Sequence, residues 1–481
     1  MSRGLARSIQ LVNEIFYFTS SQAREGREIT EVERELFSMI MKLGREALQA
    51  FVDDCGTGNQ GQTARDPKGH ELPYVRDRIC GYQSVFGEID IVRAYYQDKG
   101  VQGIFPLDSQ LNLPDRVYSY LLQEWAGKLA VNGSYEKAQE FLQSIFPVNV
   151  PLRSIERIVE DVCDDTQAYY EQKEPSAPGT NDVVCVLVDC KGVVMRKEHI
   201  PEERPSEKDP QKTGKKKMST VGTVYNIARH YRTVDDVLKE RSHNVKASVR
   251  PKPKDKRTRG SLIQSKAETI DKLKTDVTQR LKYGAELVCL LDGERALWNL
   301  VTVAFPMAFF VLDIFHVMER LWTAAHCFHK QGSPEAEQFV INRLRKLLTG
   351  NVGRVIGGFK QMLSKKKRPS AIRYELEKVI GYLERNRAHM RYDICLALGY
   401  PIGSGVVEGA CRNLINDRME LTGMKWSLKG AEAMIRLRSV DINGDWEDFW
   451  DFHRKKERNR LYPGNPPISL EIHDIELKKA A

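Results

Sequence analysis

The chain has 481 residues, room for about three structural units at roughly 150 residues each, and its 41% hydrophobic and 29% charged residues exclude a disordered chain. No apolar run approaches the ~20 residues of a membrane helix, and the nine scattered cysteines, with no CxxC, argue against a zinc ribbon or disulfide framework and for a reducing compartment. Lysine and arginine outnumber aspartate and glutamate by 74 to 65, a net charge of +9. The excess is clustered at residues 212–217, 250–259, 365–368 and 454–456, which fits a polyanionic partner or, block by block, solvated loops.

Residues 30–53 predict a helix, with Val32, Leu36, Met39, Ile40, Leu43, Ala47 and Phe51 on one stripe and Thr30 with Glu33 as a capping box. The N-terminus carries Arg3 and Arg7 and no apolar signal core, so a cytoplasmic location, associated with the bacterial nucleoid, is expected. Residues 55–70 read as a loop. Residues 82–86 and 89–96 are β-branched and aromatic and predict a hairpin turning at Gly87-Glu88. Two helices follow, residues 134–145 and 152–168, joined by a six-residue link from Phe146 to Pro151. They are either a helix-turn-helix or two ordinary packed helices. The Pro, Ser and Gly content of residues 174–181 marks a boundary.

Beyond it the pattern changes. An apolar run at residues 183–188 ends on Asp189, with Val193 to Met195 as its expected hairpin partner. A polar, basic insertion spans residues 201–217, and residues 220–227 read as another strand. After a charged amphipathic helix at residues 266–283, apolar runs at 286–291 and 307–312 end on Asp292 and Asp313. Buried strands that each finish on an acid describe a central sheet with a site at one edge. Residues 315–398 read as helix throughout, with a Ser333-Pro334 cap and, after Pro369, a stripe of Ile372, Leu376, Ile380 and Leu383. Gly403-Ser404-Gly405 opens a helix carrying Glu408, Arg412 and Asn416, a last helix covers residues 428–440, and a polar tail occupies 453–481.

Two divalent ions about 4 Å apart supply phosphodiester chemistry with a nucleophile and a stabilised leaving oxygen. Such hard cations take carboxylate oxygens, so three acids must converge. Asp189 and Asp292 at strand ends and Glu408 on a helix are the candidates. Glu294 and Glu319 are alternative ligands. His316 lies one helical turn after Asp313, so that both face the site, or it is a hydrogen-bonded core histidine. His326 and His329 read as structural. Arg412 is a candidate phosphate clamp, one turn beyond Glu408. Trp426, after Lys425, either stacks on a displaced base or fills the core.

The run from Tyr400 to Glu408 (YPIGSGVVE), with Gly423-Met424-Lys425-Trp426 and the segment from Glu432 to Arg438, resembles the C-terminal signature of bacterial insertion-sequence transposases of the Kra type, relatives of the Mutator superfamily. Leu291-Asp292-Gly293-Glu294 and Asp313-Ile314-Phe315-His316 resemble that family's second-acid and Asp-x-x-His motifs, and the resemblance spans about residues 86–452. It implies an α/β protein with a ribonuclease-H-like mixed-sheet core at residues 181–315 and 400–452, and an all-helical insertion at 316–399. A mostly helical DNA-binding region would occupy residues 1–175. It implies a DDE triad of Asp189, Asp292 and Glu408 holding two Mg²⁺ ions, with Mn²⁺ as a substitute, and catalytic roles for Asp313 and His316. Arg412, Lys425, Trp426 and the loop lysines Lys365, Lys366 and Lys367 would touch DNA. The implied activity is cleavage of element ends and transfer of the 3′-OH to target DNA by a homodimer or larger oligomer, with no membrane partner. The rivals are an inactive DNA-binding derivative and a metal-dependent nuclease or resolvase on the same core. Two departures stand out. Asp189 is followed by Cys190 where the family has glycine, and Pro106-Leu107-Asp108 is present without the cysteine pair that precedes it in many relatives, which removes any zinc there.

Overall fold

The computed structural model describes residues 3–199, 216–239, 250–364, 369–421 and 423–464; the side chains of residues 3–5, 199, 407 and 408 fall outside that description. Residues 212–215 of the first basic block, and all of Lys365, Lys366, Lys367 and Arg368, therefore lie outside the described residues. The chain divides into two compact units, Met1–Val162 with Glu447–Ala481, and Cys163–Trp446.

The first unit opens with two helices packed on each other, α1 (Arg3–Glu25) and α2 (Ile29–Asp54). The helix cap at Thr30 is not used. Helix α2 begins after Glu28, and Arg27 pairs with Glu31 and Glu35, both at 3.1 Å, across its first turns. Strands β1 (Thr63–Arg65), β2 (Glu71–Ser84) and β3 (Gly87–Tyr96) form an antiparallel sheet. Ser84 pairs with Gly87, so the hairpin turns at Val85-Phe86 rather than at Gly87-Glu88. The Ser84 hydroxyl holds that turn, donating to the Gly87 carbonyl at 2.9 Å and accepting from the Phe86 amide at 3.1 Å. Helices α3 (Pro106–Leu111), α4 (Tyr120–Asn132), α5 (Tyr135–Ile145) and α6 (Leu152–Cys163) follow; Ser134 caps α5 by accepting from the Lys137 amide.

The second unit is built on a five-stranded mixed sheet. In chain order it contains α7 (Thr166–Gln172), β4 (Asp182–Val194), β5 (Lys216–Ala228), α8 (Val234–Lys239), β6 (Lys254–Ser261), α9 (Lys266–Leu281), β7 (Leu287–Leu291), α10 (Arg295–Ala304) and β8 (Phe309–Leu312). The strand order is β6-β5-β4-β7-β8; β5 pairs antiparallel with β6 on one side and β4 on the other, and β7 and β8 continue parallel to β4. Val193 and Val194 are not a separate hairpin strand. They extend β4, whose partner β5 begins at Lys216, within the span read as an insertion, with Val194 opposite Lys216.

Strand β6 overlaps an expected basic patch; Arg250, Lys252 and Lys254 of that patch are exposed, but Arg257 is turned inward, where it meets helix α9 with its own buried arginine, Arg280. Arg257 is 1% exposed and pairs with Asp276 of α9 at 2.7 Å. Arg280 is fully buried, paired with Asp255 at 3.0 Å and donating to the Asn226 side chain at 2.8 Å. Arg259 lies over the Tyr170 ring, 4.7 Å from its centroid. These arginines fasten an edge strand to the helix beneath it, so they are not available to a polyanion.

Helices α11 (Ile314–His326), α12 (Pro334–Leu348), α13 (Val352–Ser364), α14 (Ser370–Arg385) and α15 (Tyr392–Leu398) fill the stretch expected to be helical. Ser333 caps α12 with Pro334 in its first turn, and Leu376, Ile380 and Leu383 of α14 are buried as the stripe predicts. The chain then forms α16 (Gly405–Cys411), a π-helical turn (Arg412–Asn416), α17 (Asp417–Met419), α18 (Leu428–Asn443) and α19 (Trp446–Leu461). Helix α19 carries regular structure well into the expected polar tail, and Tyr462 beyond it donates to the Leu113 carbonyl at 2.7 Å. Among the described residues no helix is long and apolar enough to cross a membrane.

Candidate active site

The site begins with strand register. Residues 183–188 of β4 and all of β7 are buried, which is why each reads as an unbroken apolar run. Val184 pairs with Leu287 and Leu187 with Leu290; carried two residues past that last pair, the register sets Asp189 level with Asp292. Leu291 pairs with Leu312, so one residue further on Asp292 stands abreast of Asp313. The Asp313 amide donates to the Leu291 carbonyl at 2.9 Å and continues that register. Three acids thus align at one level, where the parallel strands end or part, the edge at which open α/β sheets place their sites.

Their surroundings divide them. Asp189 is half-buried; its Oδ1 accepts from the Cys190 amide at 2.6 Å and its Oδ2 from the Cys411 thiol at 3.4 Å. Asp292 is half-buried and uses Oδ1 to accept from the Glu294 amide at 2.8 Å. The Tyr382 hydroxyl of α14 donates to the Asp292 carbonyl at 2.8 Å. Gly293 turns the chain there at φ +97°, and a Cβ on it would sit 2.9 Å from that hydroxyl, so only glycine fits after this acid.

Asp313 is different: its carboxylate is taken up by partners within the protein. It is fully buried at the start of α11, and both oxygens are saturated. Oδ1 accepts from the Phe315 amide at 3.2 Å and the Ser404 amide at 2.9 Å; Oδ2 accepts from the Ser404 hydroxyl at 2.7 Å and His316 Nδ1 at 2.6 Å. Burial works against its charge, but the hydrogen bonds from His316 and Ser404 outweigh it and hold the carboxyl below its usual range. It orients its neighbours and has no lone pair left for a metal or substrate.

His316 is the main beneficiary. Its hydrogen bond to Asp313 pushes its pKa up to about 9 against the opposing effect of burial, with the charges of Asp313, Glu319 and Asp292 adding to the rise. At neutral pH it is an imidazolium. A folded-state pKa raised from 6.5 to about 9 stabilises the fold fully below pH 6.5, and the contribution is lost as the pH rises through 9. Thermal melts of wild type and His316→Gln should therefore converge between those two pH values. A melting difference that stays constant across that window would exclude a charged His316.

The alternative ligands are occupied or exposed: Glu294 is ion-paired with Lys266, and Glu319 faces solvent. Glu408 lies in α16, one turn before the Cys411 that touches Asp189, and α16 packs against β4 and β5. Among the described residues, which exclude the Glu408 side chain, no group of three or more His, Cys, Asp or Glu is placed to hold a metal. Asp189 within β4 and Asp292 just past β7 nevertheless offer carboxylate oxygens, the donor chemistry a hard divalent cation takes.

The expected DNA contacts separate as well. The Arg412 side chain is 77% exposed, with a 3.4 Å contact to Asp417, and Lys425 is exposed. Trp426 takes the second of its two expected places, the core: it is 6% exposed and its indole donates to the Met419 carbonyl at 3.1 Å. Its backbone forms a parallel bridge with Met195, and Arg418 covers its ring at 5.0 Å. It is a core residue with no face for a base. His326 and His329 pack on Trp322 and Phe339, as a structural reading expects. Ser404, Cys411 and Tyr382 carry contacts that sequence reasoning did not assign. Their partners lie 91, 222 and 90 residues away, beyond the reach of any local pattern.

Residues 22–198 match the model of an uncharacterised protein family (UPF0236), a segment that ends just beyond β4. No curated protein matches the chain.

Proposed function

We propose that the protein is a DDE transposase that cleaves DNA at the ends of a mobile element and joins the freed 3′-OH to target DNA. The observation that carries this reading is the parallel β4–β7 register, which sets Asp189 of β4 level with Asp292 just past β7, together with the packing of the helix that bears Glu408 on β4 and β5. The sheet supports it: an antiparallel β4-β5-β6 meander extended by parallel β7 and β8 suits the ribonuclease-H-like core that the sequence resemblance implies.

Asp189, Asp292 and Glu408 would hold two Mg²⁺ ions, or Mn²⁺, which when bound activate the attacking oxygen and neutralise the leaving one. The chain's own residues do the rest. Asp313 fixes the ring of His316 through Nδ1 and keeps it charged, which leaves Nε2 to donate to a phosphate oxygen. Arg412 and Lys425, both exposed, contribute cations for the phosphate backbone. The partner is double-stranded DNA, engaged by a homodimer or larger homo-oligomer. Incubating DNA that carries the sequences flanking the coding region with protein and Mg²⁺ tests the reading; specific cleavage at those flanks is expected, and random nicking would favour a nuclease.

The helical segment between Asp313 and Glu408 is proposed to hold DNA beside the site through its basic run, residues 365–368. Replacing those four residues with Ser-Gly-Ser-Gly should raise the apparent KM and leave turnover at saturating DNA nearly unchanged, because it removes uniform binding. The slope of log affinity against log salt should fall by about 0.9 for each phosphate that these residues no longer neutralise. A turnover deficit that saturating DNA does not repair would place them in the chemical step instead.

A further inference from the structure

The chain leaves the sheet after β8 and returns to it 90 residues later, and the two passages are fastened to each other. The Ile314 amide donates to the Ile402 carbonyl at 2.9 Å. Two residues along, Ser404 donates both its amide and its hydroxyl to Asp313, at 2.9 and 2.7 Å. Between them Gly403 lies flat against Phe315: a Cβ there would come within 2.7 Å of the ring. Asp313 is 0% and Ser404 4% exposed, so the contact is buried. Helix α16 starts at the next residue, Gly405, and ends at Cys411, whose thiol donates to Asp189. Seven residues of helix span about 10 Å. Helix α16 is therefore held at its start by Asp313 and at its end by Asp189, with Glu408 between the two holds.

We propose that Asp313 and Ser404 form a clasp that positions α16, and with it Glu408, against the acids of β4 and β7. In this assignment the Asp-x-x-His segment and the Gly-Ser-Gly segment are the two halves of one device. Both Asp313 and Ser404 are positioning residues and neither is a metal ligand. The clasp closes the base of the helical segment, so the same contact that joins its exit and return also sets the third acid. The inference rests on the transposase reading for its catalytic consequence. Its structural content, an α16 held by Asp313, stands apart from that reading.

Ser404→Ala removes one hydrogen bond and keeps the backbone contact. Amide hydrogen exchange should then quicken across residues 403–411 by about tenfold, the factor that one buried hydrogen bond is worth, while β4 and β7 keep their protection. Ser404→Thr, which retains the hydroxyl, should restore the wild-type pattern. In the cleavage assay Ser404→Ala should raise the Mg²⁺ concentration for half-maximal rate by about 10- to 100-fold, the usual loss when a ligand's orienting partner is removed, with an unchanged KM for DNA. Unchanged exchange in α16, or a uniform increase across the sheet, would overturn the clasp. So would a normal Mg²⁺ requirement in Ser404→Ala beside an active wild type. A wild type that cleaves in neither Mg²⁺ nor Mn²⁺ would remove the functional reading instead, and the exchange pattern alone would then decide the clasp.

Discussion

Asp292→Asn and Glu408→Gln are each expected to reduce end cleavage by about 10³-fold or more, equivalent to a loss of at least about 4 kcal/mol of transition-state stabilisation, while DNA affinity stays within a few-fold. Each substitution keeps side-chain volume and removes the negative charge that holds a hard cation. Asp292 is well placed for this test, because its carbonyl and Gly293 are fixed by Tyr382, so the loop keeps its shape when the carboxylate becomes an amide. Asp189→Asn should behave alike. It decides whether Cys190 in place of glycine has displaced the first acid; the Cys190 amide donates to the Asp189 carboxylate at 2.6 Å. Near-normal cleavage by Asp292→Asn in Mg²⁺ would remove the second acid from the triad.

The largest stability effect is expected from Asp276→Ala. Arg257 and Asp276 have side chains 1% and 2% exposed, and Asp276 also meets Arg259 at 3.5 Å. Removing the acid leaves a buried guanidinium without its counter-charge, a change that costs about 3–5 kcal/mol. Arg257→Met added to Asp276→Ala should recover part of that loss, because the uncompensated charge is then gone. Urea unfolding of the three proteins checks this; a single variant within about 1 kcal/mol of wild type would mean that the pair is hydrated and contributes as a surface pair does.

The same residues explain how far the sequence can be read. Strands β4, β7 and β8 are legible because strands buried in a parallel arrangement read as continuous apolar runs, and the three acids that end those runs fall at one level by register alone. Strand β6 is not. Lys254, Lys256, Arg257 and Arg259 look like a solvent-facing block, and only the Asp276 that α9 brings beneath them turns Arg257 into an interior residue. The first half of β2 is hidden for a related reason: Arg76, Asp77 and Arg78 give no alternation, and pairing with β3 supplies what the side chains do not. Asp313 is recognisable in the sequence as part of the site, but its task is not, because its saturation depends on Ser404, 91 residues away. Trp426 is open between two readings in the sequence, and its bridge to Met195 places it in the core. Local periodicity reports burial of a segment; it does not report which distant side chain satisfies a buried charge.

A transposase joins DNA as well as cutting it, and joining separates this proposal from a nuclease on the same core. The most direct measurement incubates pre-cut ends bearing the flanking sequences with supercoiled plasmid, protein and Mg²⁺, using ends with a 3′-OH and ends with a 3′-deoxy terminus. Covalent end–plasmid products from the 3′-OH ends alone, absent with Asp292→Asn, are the predicted result. Plasmid cleavage without any joined product, or joining that proceeds equally well from 3′-deoxy ends, would contradict it.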